Sequence, residues 1–159
     1  NYNSIGVLYS NAGATDKAIE FYEKAIEENP HDKHAYANLG STLLYKKPKQ
    51  AKEYLQKALN IDPEHDIALI ELGKIDKSEG NTVAAQVKFR KAYDLYLKQW
   101  KTNSLPKYAY GWFATVAEEL GENNFAKEIR ASAPKTESEA YYNKENLSMT
   151  KTKALTNNN

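Results

Sequence analysis

The chain contains no cysteine. Disulfides, thiolate metal sites and cysteine nucleophiles are thereby excluded, while the compartment stays open. Glycine and proline are scarce, seven and five in 159 residues, so few positions interrupt a helix. Neither sign of charge prevails: 22 Lys and Arg stand against 21 Asp and Glu, a net charge of +1. A nucleic-acid-binding domain usually carries a basic excess, and none is present in bulk. No apolar run approaches the roughly 18–20 residues that span a bilayer, so membrane insertion is not expected. No signal peptide and no initiator Met open the chain. Tyr2, Ile5, Gly6 and Tyr9 read as the middle of a helix, and we expect a start inside a longer protein or behind a removed leader.

What is present favours a folded helical chain. About 41% of residues are hydrophobic and 27% charged, and tyrosine is abundant at 12. The length suits one domain or a short repeat array. Self-similarity supports the array. Tyr2, Ile5, Gly6, Tyr9, Gly13, Ala18, Tyr22, Ala25 and Pro30 align with Tyr36, Leu39, Gly40, Leu43, Ala51, Leu55, Ala58 and Pro63. A third segment holds Leu69, Leu72, Gly73, Gly80, Ala85, Phe89 and Ala92. Gly6 to Gly40 is 34 residues and Gly40 to Gly73 is 33, because one residue is missing from the turn at Lys46, Lys47 and Pro48.

The spacing has a physical reading. Small residues at Gly6, Gly40 and Gly73, facing Ala18, Ala51 and Ala85, let the two helices of a hairpin approach, while large neighbours three or four positions away fill the gaps. Pro30 and Pro63 end second helices, Gly13 and Gly80 open tight turns, and Pro48 sits in the first turn of its helix. A weaker fourth copy contains Tyr110, Phe113, Ala114, Ala117, Gly121 and Ala126. Gly73 to Ala114 is 41 residues, so about seven are inserted around Tyr96–Pro106. The insertion predicts an extended helix followed by a loop closed by Pro106, with Trp100 packed between hairpins three and four.

The large-x-x-Leu-Gly pattern, as in Tyr36-x-x-Leu39-Gly40, together with Ala85-x-x-x-Phe89, resembles the tetratricopeptide repeat family. The resemblance implies an all-α, right-handed superhelical solenoid of antiparallel helix hairpins: three repeats plus a degenerate fourth hairpin. The expected domain spans 1–134, with repeats at about 1–31, 32–65 and 66–99 and a degenerate hairpin at 106–134 that caps the open end. Residues 135–159 are expected to form a polar tail, with capping-box spacing at Thr136 and Glu139, a short helix through Tyr141 and Tyr142, and disorder after it.

In this family the first helix of each hairpin lines a concave face. The resemblance therefore implies a peptide-binding groove of Asn3, Val7, Ser10, His34, Asn38, Ser41, Tyr45, Ile67, Glu71, Lys74, Tyr108, Trp112 and Thr115. Some relatives clamp the C-terminal carboxylate of chaperones with Lys, Asn, Asn, Lys and Arg. Here only Asn38 matches. Asn3, Val7, Ile67 and Glu71 stand at the other positions, and an acidic Glu71 repels a carboxylate, so such tails are not expected to bind.

Other chemistry finds little support. His31 and His34 have i,i+3 spacing but straddle a helix start, and with His65 they read as solvated residues between repeats. No Gly-rich phosphate loop, Gly-x-Ser-x-Gly or His-Glu-x-x-His occurs. Acidic pairs such as Glu27–Glu28 and Glu118–Glu119 diverge on a helix and read as solvated charges. Asn146-Leu147-Ser148 matches a glycosylation acceptor, read as a chance match. No catalytic group, metal ligand set or cofactor is assigned. The expected function is a non-enzymatic scaffold or adaptor that binds a peptide or partner protein. The alternatives are self-assembly into a homo-oligomer through an apolar face at Ile5, Val7 and Leu8, or a regulatory arm of a larger multidomain protein. RNA binding is disfavoured by the balanced charge. A soluble, cytoplasmic setting is favoured.

Overall fold

The computed structural model describes residues 1–134. The expectations for Thr136, Glu139, Tyr141, Tyr142 and the 146–148 acceptor lie outside the described residues. Among the described residues eight α-helices follow one another: α1 (Tyr2–Asn11), α2 (Thr15–Glu28), α3 (Lys33–Leu43), α4 (Pro48–Ile61), α5 (Asp66–Ser78), α6 (Thr82–Lys101), α7 (Ala109–Glu119) and α8 (Asn123–Ser132). No strand occurs among the described residues.

Local chemistry sets the ends of these helices. The Asn1 side chain accepts the Asn3 N–H at the start of α1. Asp32 accepts the N–H groups of His34 and Ala35 at the start of α3. Pro48 occupies the first turn of α4, where its missing N–H leaves no bond unmade. The turn out of α5 requires φ of +83° at Gly80, a left-handed conformation that a side chain would strain. There the Asn81 N–H reaches back to the Asp76 carbonyl at 2.8 Å.

Each helix packs on its neighbours in sequence, and the hairpins stack in series as a helical repeat solenoid. The core accordingly forms a chain of linked clusters. The first holds Ala18, Tyr22, Leu39 and Ala51. The second holds Tyr36, Leu55, Ala58 and Leu72. The third surrounds Phe89, Tyr96, Phe113 and Ile129. Ile26 and Tyr54 join the first cluster to the second, and Leu59 joins the second to the third. Full burial of a side chain such as Phe89 contributes about 1.5–3 kcal/mol.

The close approach inside each hairpin differs from the expectation in one respect. The nearest neighbours of Gly6 and Gly73 are the rings of Tyr22 and Phe89, and that of Gly40 is the Leu55 side chain, not the small alanines. The bare glycine backbone makes room for the large residue four positions beyond Ala18, Ala51 or Ala85. The insertion lengthens α6 to 20 residues. Trp100 near its end packs edge-on against Tyr110, Phe113 and Phe125, with centroids 5.8, 6.0 and 6.1 Å away.

Candidate functional site

The first helices of the hairpins touch one another: α1 with α3, α3 with α5, and α5 with α7. The second helices α2, α4, α6 and α8 make no such contacts with each other among the described residues. Helices spaced closely on one side and widely on the other form a curved wall, with α1, α3, α5 and α7 on the concave side.

Two polar groups bind this wall together. Asn38 on α3 donates from Nδ2 to Asn3 Oδ1 on α1 at 2.9 Å, and the Thr42 hydroxyl donates to the Asn38 carbonyl at 2.7 Å. Further along, Glu71 on α5 is only 5% exposed. Its Oε1 accepts from Lys74 Nζ at 3.3 Å, and Oε2 has no partner. The same ammonium lies 4.7 Å from the centroid of Trp112 on α7. Ser41, half-buried on α3, also has an unpartnered hydroxyl.

The other residues expected to line a groove are placed less uniformly. Val7 is half-buried against the first core cluster, and Ile67 is half-buried on α5. Ser10 is exposed, and the Thr115 hydroxyl donates to its own helix at the Gly111 carbonyl. Tyr45 is 94% exposed and lies beyond the end of α3, beside an open groove of about 520 Å³ that Leu44, Pro48, Lys74 and Ile75 also line. Tyr108 precedes α7 and is 63% exposed; its phenol is raised by desolvation and by the nearby Asp66 charge.

His31 and His34 are exposed, in line with the sequence reading. His65 departs from it: it is 4% exposed rather than solvated, and its Nε2 lies 3.1 Å from Nδ1 of His34. His65 Nδ1 caps α5 by accepting the Ala68 N–H at 3.4 Å. That nitrogen is therefore unprotonated, so in the neutral ring Nε2 carries the proton and donates to His34. Burial lowers the His65 pKa; the Asp66 and Asp62 charges partly offset this, while His34 and Lys33 add to it. Beside this pair, Tyr96 donates its hydroxyl to Asp66 Oδ2 at 2.9 Å, and Lys33 pairs with Asp62 at 2.7 Å. His65 was missed as a site residue because its partner lies 31 residues away; its place directly before a helix was the available signal.

The acidic pair Glu118–Glu119 is also engaged. Glu118 pairs with Arg130, and Glu119 accepts from Lys77 at 2.6 Å. Among the described residues no three or more His, Asp or Glu side chains converge on a metal position, and no helix is long and apolar enough to cross a membrane.

Comparison with known proteins agrees with this architecture. Tetratricopeptide repeat models match residues 2–32 and 34–65. The chain is similar to BBSome complex member BBS4 of Bos taurus, 32% identical over 92 residues; the match covers 56% of the chain and 17% of that protein's length. It also superposes on the crystal structure of MamA protein with a TM-score of 0.53 at 22% identity, covering 83% of this chain and 69% of that one. The first two hairpins thus match tetratricopeptide repeats, and the later hairpins stack on them in series.

Proposed function

We propose that the chain is a non-enzymatic protein-interaction module whose concave face, along α1, α3, α5 and α7, holds a peptide or a partner's surface segment. The observation that carries this reading is the set of contacts among the first helices, which turns four separate helices into one continuous wall. That wall offers amides at Asn3 and Asn38, a hydroxyl at Ser41 and an aromatic face at Trp112. Such groups bond an extended backbone and hold side chains. Ile67 and the enclosed Glu71 stand where a chaperone-tail clamp would place cations, which supports partners other than C-terminal carboxylates. The match to one member of a named complex is in keeping with an assembly role.

Binding to an array of 15-residue peptides tests the proposal. Asn38→Ala combined with Tyr45→Ala is expected to weaken every selected peptide while leaving the helical signal unchanged. Undiminished binding by a folded double variant would remove the groove from the account.

A second reading rests on Leu8, which is 68% exposed on α1. Its counterparts one, two and three repeats on are Thr42, Ile75 and Val116, none of them exposed. That unpaired position favours self-assembly through α1. Light scattering at high concentration reads it directly, and a monomer would exclude it.

A further inference from the structure

Glu71, Lys74 and Trp112 form an arrangement that the internal contacts leave incomplete. A carboxylate offers two oxygens and about four lone-pair directions. Glu71 receives one donor, Lys74, at 3.3 Å, longer than the roughly 2.7–2.9 Å of a well-formed charge-assisted bond. Its second oxygen is enclosed and has no partner. The indole of Trp112 meanwhile presents its face to the Lys74 ammonium at 4.7 Å. Lys74 is a compact point charge on a flexible stem, and its placement here serves one oxygen and the ring but not the other oxygen. A planar guanidinium has the donors to serve both oxygens as a fork and lies flat on an indole. Lys74 also borders the open groove beside Tyr45 and Ile75, so its stem has space into which it can turn.

We propose that Glu71 and Trp112 form a receptor for the guanidinium group of a partner's arginine side chain, and that Lys74 fills this receptor in the free protein. The inference rests on the groove reading and specifies the chemistry of what the groove selects: a segment with an arginine opposite α5 and α7. Lys74 is then an intramolecular competitor. It keeps the Glu71 carboxylate accompanied until a better-shaped cation arrives, and it sets a threshold that neutral or acidic segments do not cross.

The test uses the full chain and acetyl-arginine-amide as probe, with acetyl-citrulline-amide as its uncharged counterpart of the same shape. The indole N–H resonance of Trp112 is followed by NMR and assigned by its loss in Trp112→Phe. Acetyl-arginine-amide is expected to shift this resonance saturably, and the citrulline compound to bind about ten-fold more weakly or not at all. Lys74→Met, which removes the competitor, is expected to tighten the arginine probe about ten-fold, the scale of one displaced cation–π contact. Glu71→Gln is expected to abolish the difference between the two probes. If Glu71→Gln does not fold, the citrulline comparison and Lys74→Met decide alone. Equal binding of both probes, or no saturable shift with arginine in either the natural chain or Lys74→Met, would overturn the proposal. Such a failure is distinct from failure of the groove itself, which is read by the dependence of peptide binding on Asn38 and Tyr45.

Discussion

A methyl group added at Gly73 would lie 2.6 Å from Cε1 of Phe89. The α5–α6 hairpin therefore closes on bare backbone, and the neighbour that would have to yield is a fully buried ring with no slack around it. Gly73→Ala is expected to lower stability by up to about 2 kcal/mol, the overpacking cost of about 1–3 kcal/mol less the helix-propensity gain of about 1 kcal/mol. Gly111 in α7 has no atom within 4 Å of the same added group. Gly111→Ala is expected to stabilise by about 0.5–1 kcal/mol. Urea unfolding of the two variants checks this; equal effects of one sign would refute the close-approach argument.

The His34–His65 pair predicts a pH dependence. The folded chain holds His65 with its pKa below the ordinary 6.5, chiefly by burial. The unfolded chain takes up that proton more readily, so the stabilisation is fully present above about pH 6.5 and is lost as pH falls from there through the folded value. Protonation of Nδ1 would also end the cap on Ala68. The melting temperature is expected to fall between pH 7.5 and 5.5. In His65→Asn, which keeps a capping oxygen but does not titrate, the fall over this window is expected to be smaller. Asp62 acts in a separate window: its carboxyl is held below 3.8 first by the Lys33 hydrogen bond, so its contribution is lost only as pH falls beneath that value. Parallel declines of the natural chain and His65→Asn from pH 7.5 to 5.5 would exclude the histidine pair as the cause.

Tyr96 ties the extended α6 back to the start of α5. Its ring is fully buried, and its hydroxyl donates to Asp66 at 2.9 Å. Tyr96→Phe is expected to cost about 1–2 kcal/mol, because a bond to a charged acceptor is lost while half-exposed Asp66 regains water. Chemical denaturation measures it, and a neutral result would show that water replaces the phenol without loss.

Ion pairs of similar length should differ in worth according to burial. Lys88 meets the buried Asp76 at 2.5 Å, whereas Lys52 and Glu79 meet at 2.6 Å with both side chains 43% exposed. Lys88→Met is expected to destabilise by about 1.5–3 kcal/mol because it leaves an enclosed carboxylate unpaired. Lys52→Met is expected to change stability by less than about 1 kcal/mol. Thermal melts at low and high salt rank the two, and a larger loss from Lys52→Met would reverse the argument.

The sequence alone determined the helical hairpins and their serial order. Gly6, Gly40 and Gly73 recur with Ala18, Ala51 and Ala85 at nearly one period, and Pro48, Gly13 and Gly80 mark the turns. These signals are local, because helix periodicity and backbone preference act over three or four residues. Only the tertiary structure decided which distant side chains meet. It set a ring or a branched side chain nearest to Gly6, Gly40 and Gly73, with the Ala51 carbonyl also close to Gly40, since the roll of one helix on its partner selects the neighbour. It brought His34 to His65, Asn3 to Asn38, and Lys74 to Trp112. These contacts depend on how one repeat leans on the next, and a shift of one residue in that packing would send each side chain elsewhere.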